Sequence, residues 1–452
     1  MADSGDRFAR VLKARAVLAL SFGAMIGWSW VLMTGHWVEN AGSVGTLLAF
    51  LGGGLVIGFI GLTYAELASA MPKAGGEHVY THAALGANWS FVCTWALLMA
   101  YATVCIFESV ALPTAVEYLV PGIRLGTLWT VVGAPVDIGF ILVGVLGAVA
   151  MTIVNYLGIR TAGRVQMVVT VAIVAAGVVL FAGAFANGSI ETARPLVAMP
   201  AAGILSVVIM VPAMLVGFDV LPQSAEEIDL PAKRIGVLLA FSLVLAVLWY
   251  AGVSFAVASA IPNASLGDAR MATADAATAL WNHRLAGSAL IIGGIGGILT
   301  SWNAFIIGGS RVMFALAESG ALPAAFAKLH ARYRTPHLAI VVLGVLSCIS
   351  PFFGRTILVW LINTGSLAVV IAYVFVPIAF LVLRKTQPEL PRPFKIRAPR
   401  AVGWTAIVLG IALLCLYLPG SPSALAWPYE WAIVAGWAAV GLWIWFRRVL
   451  DR

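Results

Sequence analysis

Apolar residues in this chain come in long blocks rather than in the alternating or one-faced patterns of a water-soluble fold. Twelve blocks near the ~20 residues needed to cross a bilayer as an α-helix lie close to 15–40, 44–70, 88–119, 136–156, 163–186, 203–221, 235–261, 285–318, 336–352, 356–384, 402–419 and 429–447. Short polar connections separate them. The longest connection, Pro262–Arg284, is polar and alanine-rich and is expected to form short surface helices.

Two of the blocks are interrupted. The first contains Ser21-Phe-Gly-Ala-Met-Ile-Gly-Trp-Ser-Trp30, with Gly23 and Gly27 at its middle. The sixth contains Val211-Pro-Ala-Met-Leu-Val-Gly-Phe-Asp-Val220, with Pro212, Gly217 and Asp219 in mid-span. Each glycine weakens a helix by about 1 kcal/mol, and a break at membrane depth survives only where the freed backbone groups line a cavity or meet a ligand. Paired interruptions in two halves of a membrane protein point to a transporter's binding site; the alternative is a pair of lipid-facing kinks. Blocks 1–5 and 6–10 each open with such an interruption, and because five is odd the second half enters with inverted topology. The expected fold is therefore an all-α polytopic membrane protein of twelve transmembrane helices. It comprises a 5+5 inverted repeat (15–186 and 203–384) with discontinuous helices 1 and 6, plus helices 11 and 12 (402–447), in one transmembrane domain spanning 1–452.

Composition agrees with the pattern. The chain is 62% hydrophobic and 10% charged, against ~25% charged in ordinary soluble domains. Its net charge of +8 carries no nucleic-acid signal, since the basic residues sit in short loops. With both termini inside, 22 of the 27 Lys and Arg fall in cytoplasmic segments, Arg7, Lys73, Lys233 and Arg452 among them. Five arginines, Arg124, Arg194, Arg270, Arg284 and Arg355, fall outside. This is the positive-inside asymmetry, which puts both termini in the cytoplasm; the expected location is the cell (inner) membrane. The polar first 15 residues and the long apolar run after them are unlike a cleavable signal peptide. Cys93, Cys105, Cys348 and Cys415 all lie inside apolar blocks, with no disulfide or metal-site spacing, and are expected to pack.

Four motifs, in order along nearly the whole chain, resemble the amino acid–polyamine–organocation transporter family. Tyr64-Ala-Glu-Leu-Ala-Ser-Ala-Met-Pro-Lys-Ala-Gly-Gly-Glu-His-Val-Tyr80, followed by Gly86, is similar to its end of helix 2 and first inner loop. Gly217-Phe-Asp219 with Glu226-Glu227 and Pro231 resembles its helix 6 break and the loop beyond. Ser310-Arg311, Gly320-Ala-Leu-Pro323 and Pro336 resemble its helix 8 exit. Leu383-Arg384, Pro388 and Arg392-Pro-Phe-Lys395 resemble its loop after helix 10. The resemblance implies a leucine-transporter-like fold with substrate held between broken helices 1 and 6. A half-helix starting after Gly27 offers free N–H groups and a positive dipole end to a carboxylate, while helix ends near Gly23 and Gly217 offer carbonyls to an amine. The chain departs from the family where Ile26-Gly27 is followed by Trp28-Ser29-Trp30 instead of small and aliphatic residues, which keeps a carboxylate-free amine open as substrate.

The positions expected to contact substrate are Gly23, Ala24, Met25, Ile26, Gly27, Trp28 and Ser29 on helix 1, and Gly217, Phe218 and Asp219 on helix 6. Tyr101 and Glu108, on one stripe of helix 3, and Trp302 on helix 8 complete the set. A carboxylate such as Glu108, roughly 30 Å along its helix at 1.5 Å per residue, is expensive in a membrane and functional by default. It is open to meeting an amine, gating the outer path, carrying a proton, or pairing with an outer-loop arginine. Asp219 either caps the resumed helix or works on substrate, and Glu66 reads as an inner-gate or structural acid. Thr300-Ser301 resembles the hydroxyl pair of sodium-coupled members of this fold, with Gly23 and Ile26 supplying carbonyls. Otherwise both hydroxyls bond back one turn. Where proton-coupled relatives place a helix 5 lysine, this chain has Ile173. No other cofactor is implied; Na⁺ and H⁺ are the candidate coupling ions.

The sequence thus reads as a secondary-active transporter of amino acids working by alternating access, ion-coupled symport being expected. Its alternatives are a carrier of an alkanolamine or polyamine, an amino acid/amine exchanger and, in another class, a channel or substrate sensor. The six scattered His give no metal spacing and no membrane enzyme. The partners implied are the small substrate and the bilayer.

Overall fold

The computed structural model describes residues 8–123, 125–267, 269, 271–421 and 424–450. Arg7, Arg124, Arg270 and Arg452 of the loop-charge count lie outside the described residues. The first apolar block is broken as its glycines suggest: α1 (Ala14–Met25) ends, the chain turns through Ile26–Trp28, and α2 (Ser29–Leu32) and α3 (Thr34–Ala41) carry it on. The helix runs past Gly23, where an end was expected, and stops at Met25. After α4 (Ser43–Ala70), α5 (Glu77–Leu119), α6 (Ile138–Tyr156) and α7 (Ile159–Asn187) comes the second broken element. There α8 (Ala202–Met214) stops two residues after Pro212, and α9 (Val220–Gln223) resumes. The chain closes with α10 (Ala232–Ala258), α11 (Ala272–Trp281), α12 (Arg284–Glu318), α13 (His337–Ile349), α14 (Ile357–Thr386), α15 (Pro399–Cys415) and α16 (Tyr429–Leu450). Among the described residues, eight helices are long and apolar enough to cross a membrane: α4, α5, α6, α7, α10, α12, α14 and α16. Shorter apolar helices, α1, α8, α13 and α15, fall where the remaining blocks were read.

The packing follows from burial. α5 and α12 are buried along most of their length and form the interior, while α16 buries little of its surface. α5 packs along α14 and α12, α4 along α10, and α12 along α7. Gly86, at φ +79°, breaks α5 into a short entry and the spanning stretch, which is why the apolar block began only at residue 88.

Two segments differ from expectation. Residues 127–137 form an antiparallel hairpin, β1 (Thr127–Val131) and β2 (Ala134–Asp137), in register through Thr130 and Pro135. α11 is no surface helix: Ala272, Ala274, Ala276 and Ala277 are buried, and Thr273 Oγ1 donates to the Trp30 carbonyl at 2.8 Å, anchoring it on the far side of the first break.

The motifs meet in space. Glu66, fully buried, sits 2.6 Å from Arg384 and 3.2 Å from Arg392 and accepts from Ile396 N at 2.8 Å. Glu66 is thus a structural acid that pins the loop after α14. Arg311 on α12 holds Glu227 bidentately at 2.7 and 3.0 Å, both side chains being 1% exposed. The Arg311 guanidinium lies 5.5 Å over the Phe8 ring, and the N–H groups of Val11 and Leu12 both donate to the Glu227 carbonyl at 2.9 Å.

Candidate functional site

Both breaks are built by small residues that admit close neighbours. Gly217 has φ +126°, and a Cβ there would lie 2.7 Å from the Ala24 carbonyl carbon and Cβ and 2.9 Å from Met25 N. The helix 6 break therefore abuts the end of α1 directly. On the other side, a Cβ on Gly297 of α12 would lie 2.8 and 2.6 Å from the Ile26 and Gly27 carbonyl oxygens. Tyr250 of α10, which the sequence reading missed, spans the first break: its hydroxyl donates to Met25 O at 2.8 Å and lies 3.0 Å from Ser29 Oγ.

Asp219 does not cap α9. Its Oδ1 accepts from Gly217 N at 2.8 Å and its Oδ2 from the Tyr101 hydroxyl at 2.6 Å, with the Tyr373 hydroxyl at 3.5 Å. α9 is only four residues long, and the carboxylate instead folds back to satisfy the N–H that the break leaves free. Tyr101 is spent on this bond, and Phe218 is buried between Tyr64 and Tyr373.

Between the breaks lies a cavity of ≈ 90 Å³, space for a handful of water-sized groups at ~10–15 Å³ each. Ala24, Met25, Gly27, Trp28, Ser29, Glu108 and Ser301 line it, all named from sequence. Gly23, Ile26, Tyr101, Gly217, Phe218, Asp219 and Trp302 support its surroundings instead. Trp302 turns to α6, its ring close to Gly147. The missed walls are Thr103, Val104 and Phe107 of α5, Met214 and Val216 at the second break, Phe305 of α12, and Leu361, Ile362, Gly365 and Ser366 of α14. The small pair Gly365-Ser366 inside an apolar block was the available signal for the last wall.

The polar inventory of this cavity is short. Glu108 Oε1 lies 3.2 Å, and Ser301 Oγ 3.5 Å, from where a Gly27 Cβ would stand, so the carboxyl rests against the turn from which α2 starts. Glu108 Oε2 and Trp28 Nε1 are buried and have no hydrogen-bond partner. A buried polar atom left unpaired costs about 1–3 kcal/mol, and an unpaired charge at membrane depth at least about 2.5–3.5 kcal/mol. A ligand bearing a donor and an acceptor relieves both.

The four positions read as a sodium set divide. Gly23 and Thr300 face each other beside Gln166 and Thr170, and Thr300 Oγ1 donates to the Gly296 and Gly297 carbonyls, both at 3.1 Å. The Ile26 carbonyl faces Gly297, and Ser301 faces the cavity. Ile173 is buried, against Gly296.

Comparison with known proteins adds a second, independent line. Residues 12–440 match a family model described as amino acid permease. The chain is 28% identical to a branched-chain amino acid permease of Bacillus subtilis, covering 92% of this chain and 89% of that protein. It is 26% identical to a methylthioribose transporter of the same organism, over 97% and 93% of the two chains. It is also similar to an aspartate-proton symporter of Bacillus subtilis, at 24% identity over 89% and 78%.

Proposed function

From the premise that the chain belongs to the amino acid permease family, whose members are transporters and not enzymes, we propose that it carries small apolar amino acids across the cell membrane by alternating access. It does so as a twelve-span protein with a 5+5 inverted repeat and cytoplasmic termini, and substrate binds between the two breaks. One observation carries this reading: a cavity with mostly apolar walls, hydroxyls at Ser29, Thr103, Ser301 and Ser366, and two side chains, Glu108 and Trp28, whose Oε2 and Nε1 lack partners. An aliphatic side chain suits walls such as Val104, Phe107, Leu361 and Ile362, and the zwitterionic head suits the polar end. The similarity to a branched-chain amino acid permease supports the same class.

The geometry also favours proton coupling. A substrate carboxylate docking on the first N–H groups of α2 comes beside Glu108 and is repelled unless Glu108 takes a proton. Carboxylate and proton then bind together, each raising the affinity for the other. The similarity to an aspartate-proton symporter agrees with symport. Sodium held by Gly23, Ile26, Thr300 and Ser301 has less support, because the four are divided: Gly23 and Thr300 face each other beside Gln166 and Thr170, while Ser301 lines the cavity. A substrate without a carboxylate is the rival favoured by Trp28 and by the similarity to a methylthioribose transporter.

Uptake of labelled leucine into proteoliposomes tests all of this. Leucine and isoleucine should compete, leucinamide should not, and an inward proton gradient should drive accumulation equally well in Na⁺ or choline. Competition by isopentylamine or methylthioribose as strong as by leucine would overturn the amino-acid reading. Strict dependence on Na⁺ would overturn the proton reading.

A further inference from the structure

Beyond the cavity, a run of buried side-chain amides crosses four helices. Asn155 of α6 donates through Nδ2 to Asn303 Oδ1 of α12 at 2.9 Å. Asn303 Nδ2 donates to Gln166 Oε1 of α7 at 2.7 Å and to the Ala162 carbonyl at 3.1 Å. Gln166 Nε2 donates to the Ala19 carbonyl of α1 at 3.2 Å, where Thr170 Oγ1 adds a second contact at 3.4 Å. Asn155 is 2% exposed, and Asn303 and Gln166 are not exposed at all. The three amides point head to tail with their N–H ends toward α1, the arrangement in which each bond polarises the next.

One turn beyond Ala19, Gly23 lacks the Cβ that would lie 2.7 Å from Gln166 Nε2, 2.9 Å from Thr170 Oγ1 and 3.1 Å from Thr300 Cβ. The close approach and the amide run thus fix the same stretch of α1, the half-helix that ends at the cavity. Placing three polar amides where apolar side chains would pack well is costly unless the bonds are made; here all three N–H ends are used, Asn155 Oδ1 being the one amide oxygen of the three without a partner, and besides the Asn155 bond to Met151 O the bonds join separate helices.

We infer that Gln166, Asn303 and Asn155 are positioning residues forming a clamp of side-chain amides, which holds α1 against α6, α7 and α12 and releases once per transport cycle. This rests on the transport reading above.

The test combines hydrogen–deuterium exchange with uptake by the full chain in lipid. Gln166→Leu should raise exchange of the amides in residues 14–25 about tenfold, a local opening, while α10 and α14 keep wild-type protection. Its Vmax should fall several-fold at a nearly unchanged KM. Gly23→Ala, which wedges the same contact from the other side, should do likewise. Thr63→Val, which removes a buried hydroxyl bonded only to Ile60 O, should change neither. Gln166→Glu supplies a signature that a merely structural role would not: the groups facing it, Thr170, Thr300 and Asn303, are neutral. Its protonated carboxyl can still donate to Ala19 O, whereas its carboxylate cannot, so its uptake relative to wild type should rise at least about fivefold from pH ~7.5 to pH ~5.5. Wild-type exchange at 14–25 in Gln166→Leu and Gly23→Ala, or a Gln166→Glu pH profile parallel to wild type, would overturn the clamp. Liposomes that move no amino acid, with 14–25 still loosened in Gln166→Leu, would sink the transport reading and leave the clamp's hold on α1 standing.

Discussion

At the scale of single residues, Glu108 is a buried carboxyl that lines the cavity. Its carboxyl is buried, one oxygen faces the turn at Gly27 and the other has no partner. If it exchanges a proton with each substrate, Glu108→Gln fixes it in the neutral state. Proton-driven accumulation should then be lost, while exchange of internal for external leucine stays within about threefold of wild type, because the coupling term alone has been removed. Accumulation driven by the proton gradient at the wild-type level in this variant would assign the proton to another group. Glu108 was legible in the sequence because a carboxylate in the middle of a long apolar block stands out. Tyr250 was not, since a tyrosine in a membrane helix gives no sign that its hydroxyl will bridge Met25 and Ser29. Tyr101 shares its stripe on the helix with Glu108, but that its hydroxyl meets Asp219 was no more legible.

At the scale of elements, the two breaks are one joint. Gly217 stands at φ +126° with its missing Cβ within 2.7 Å of Ala24. Gly217→Ala adds backbone strain of about 1–3 kcal/mol and pushes the second break off the end of α1. The variant should melt a few degrees lower in a thermal-shift assay and transport more slowly, and unchanged melting would show that the two breaks do not bear on each other. Glycine and proline are local signals, so the sequence located both interruptions to within a few residues. The α14 wall escaped because which face of a straight apolar helix meets a cavity is decided by its neighbours, and Leu361 and Ile362 look the same on either face. The buried course of α11 escaped likewise, its alanines fitting a surface or a tight packing seam equally well.

At the scale of the whole molecule, distant segments are fastened by buried ion pairs. Glu227 and Arg311, each 1% exposed, bring together the loop after the second break, α12 and, through Phe8 and the Val11 and Leu12 N–H groups, the start of the chain. Removing one partner of such a pair leaves an uncompensated buried charge, at a cost of about 3–5 kcal/mol. Arg311→Gln should therefore sharply lower the melting temperature and the folded yield, and adding Glu227→Gln should restore part of both. A double variant no more stable than Arg311→Gln would mean that the charge pair is not what holds these segments.

The joint made by Gly23, Gly217 and Gly297 has a consequence for how such a protein can diversify. Every replacement of glycine adds atoms, and at these three positions added atoms collide with side chains or backbone, so mutation there can only damage. The cavity wall follows the opposite rule. Val104, Leu361 and Ile362 lie on other helices than the joint, so a side chain of other size there leaves the joint's contacts in place. If the proposed transport holds, variants selected for a different solute should carry their changes on the wall and not at the joint.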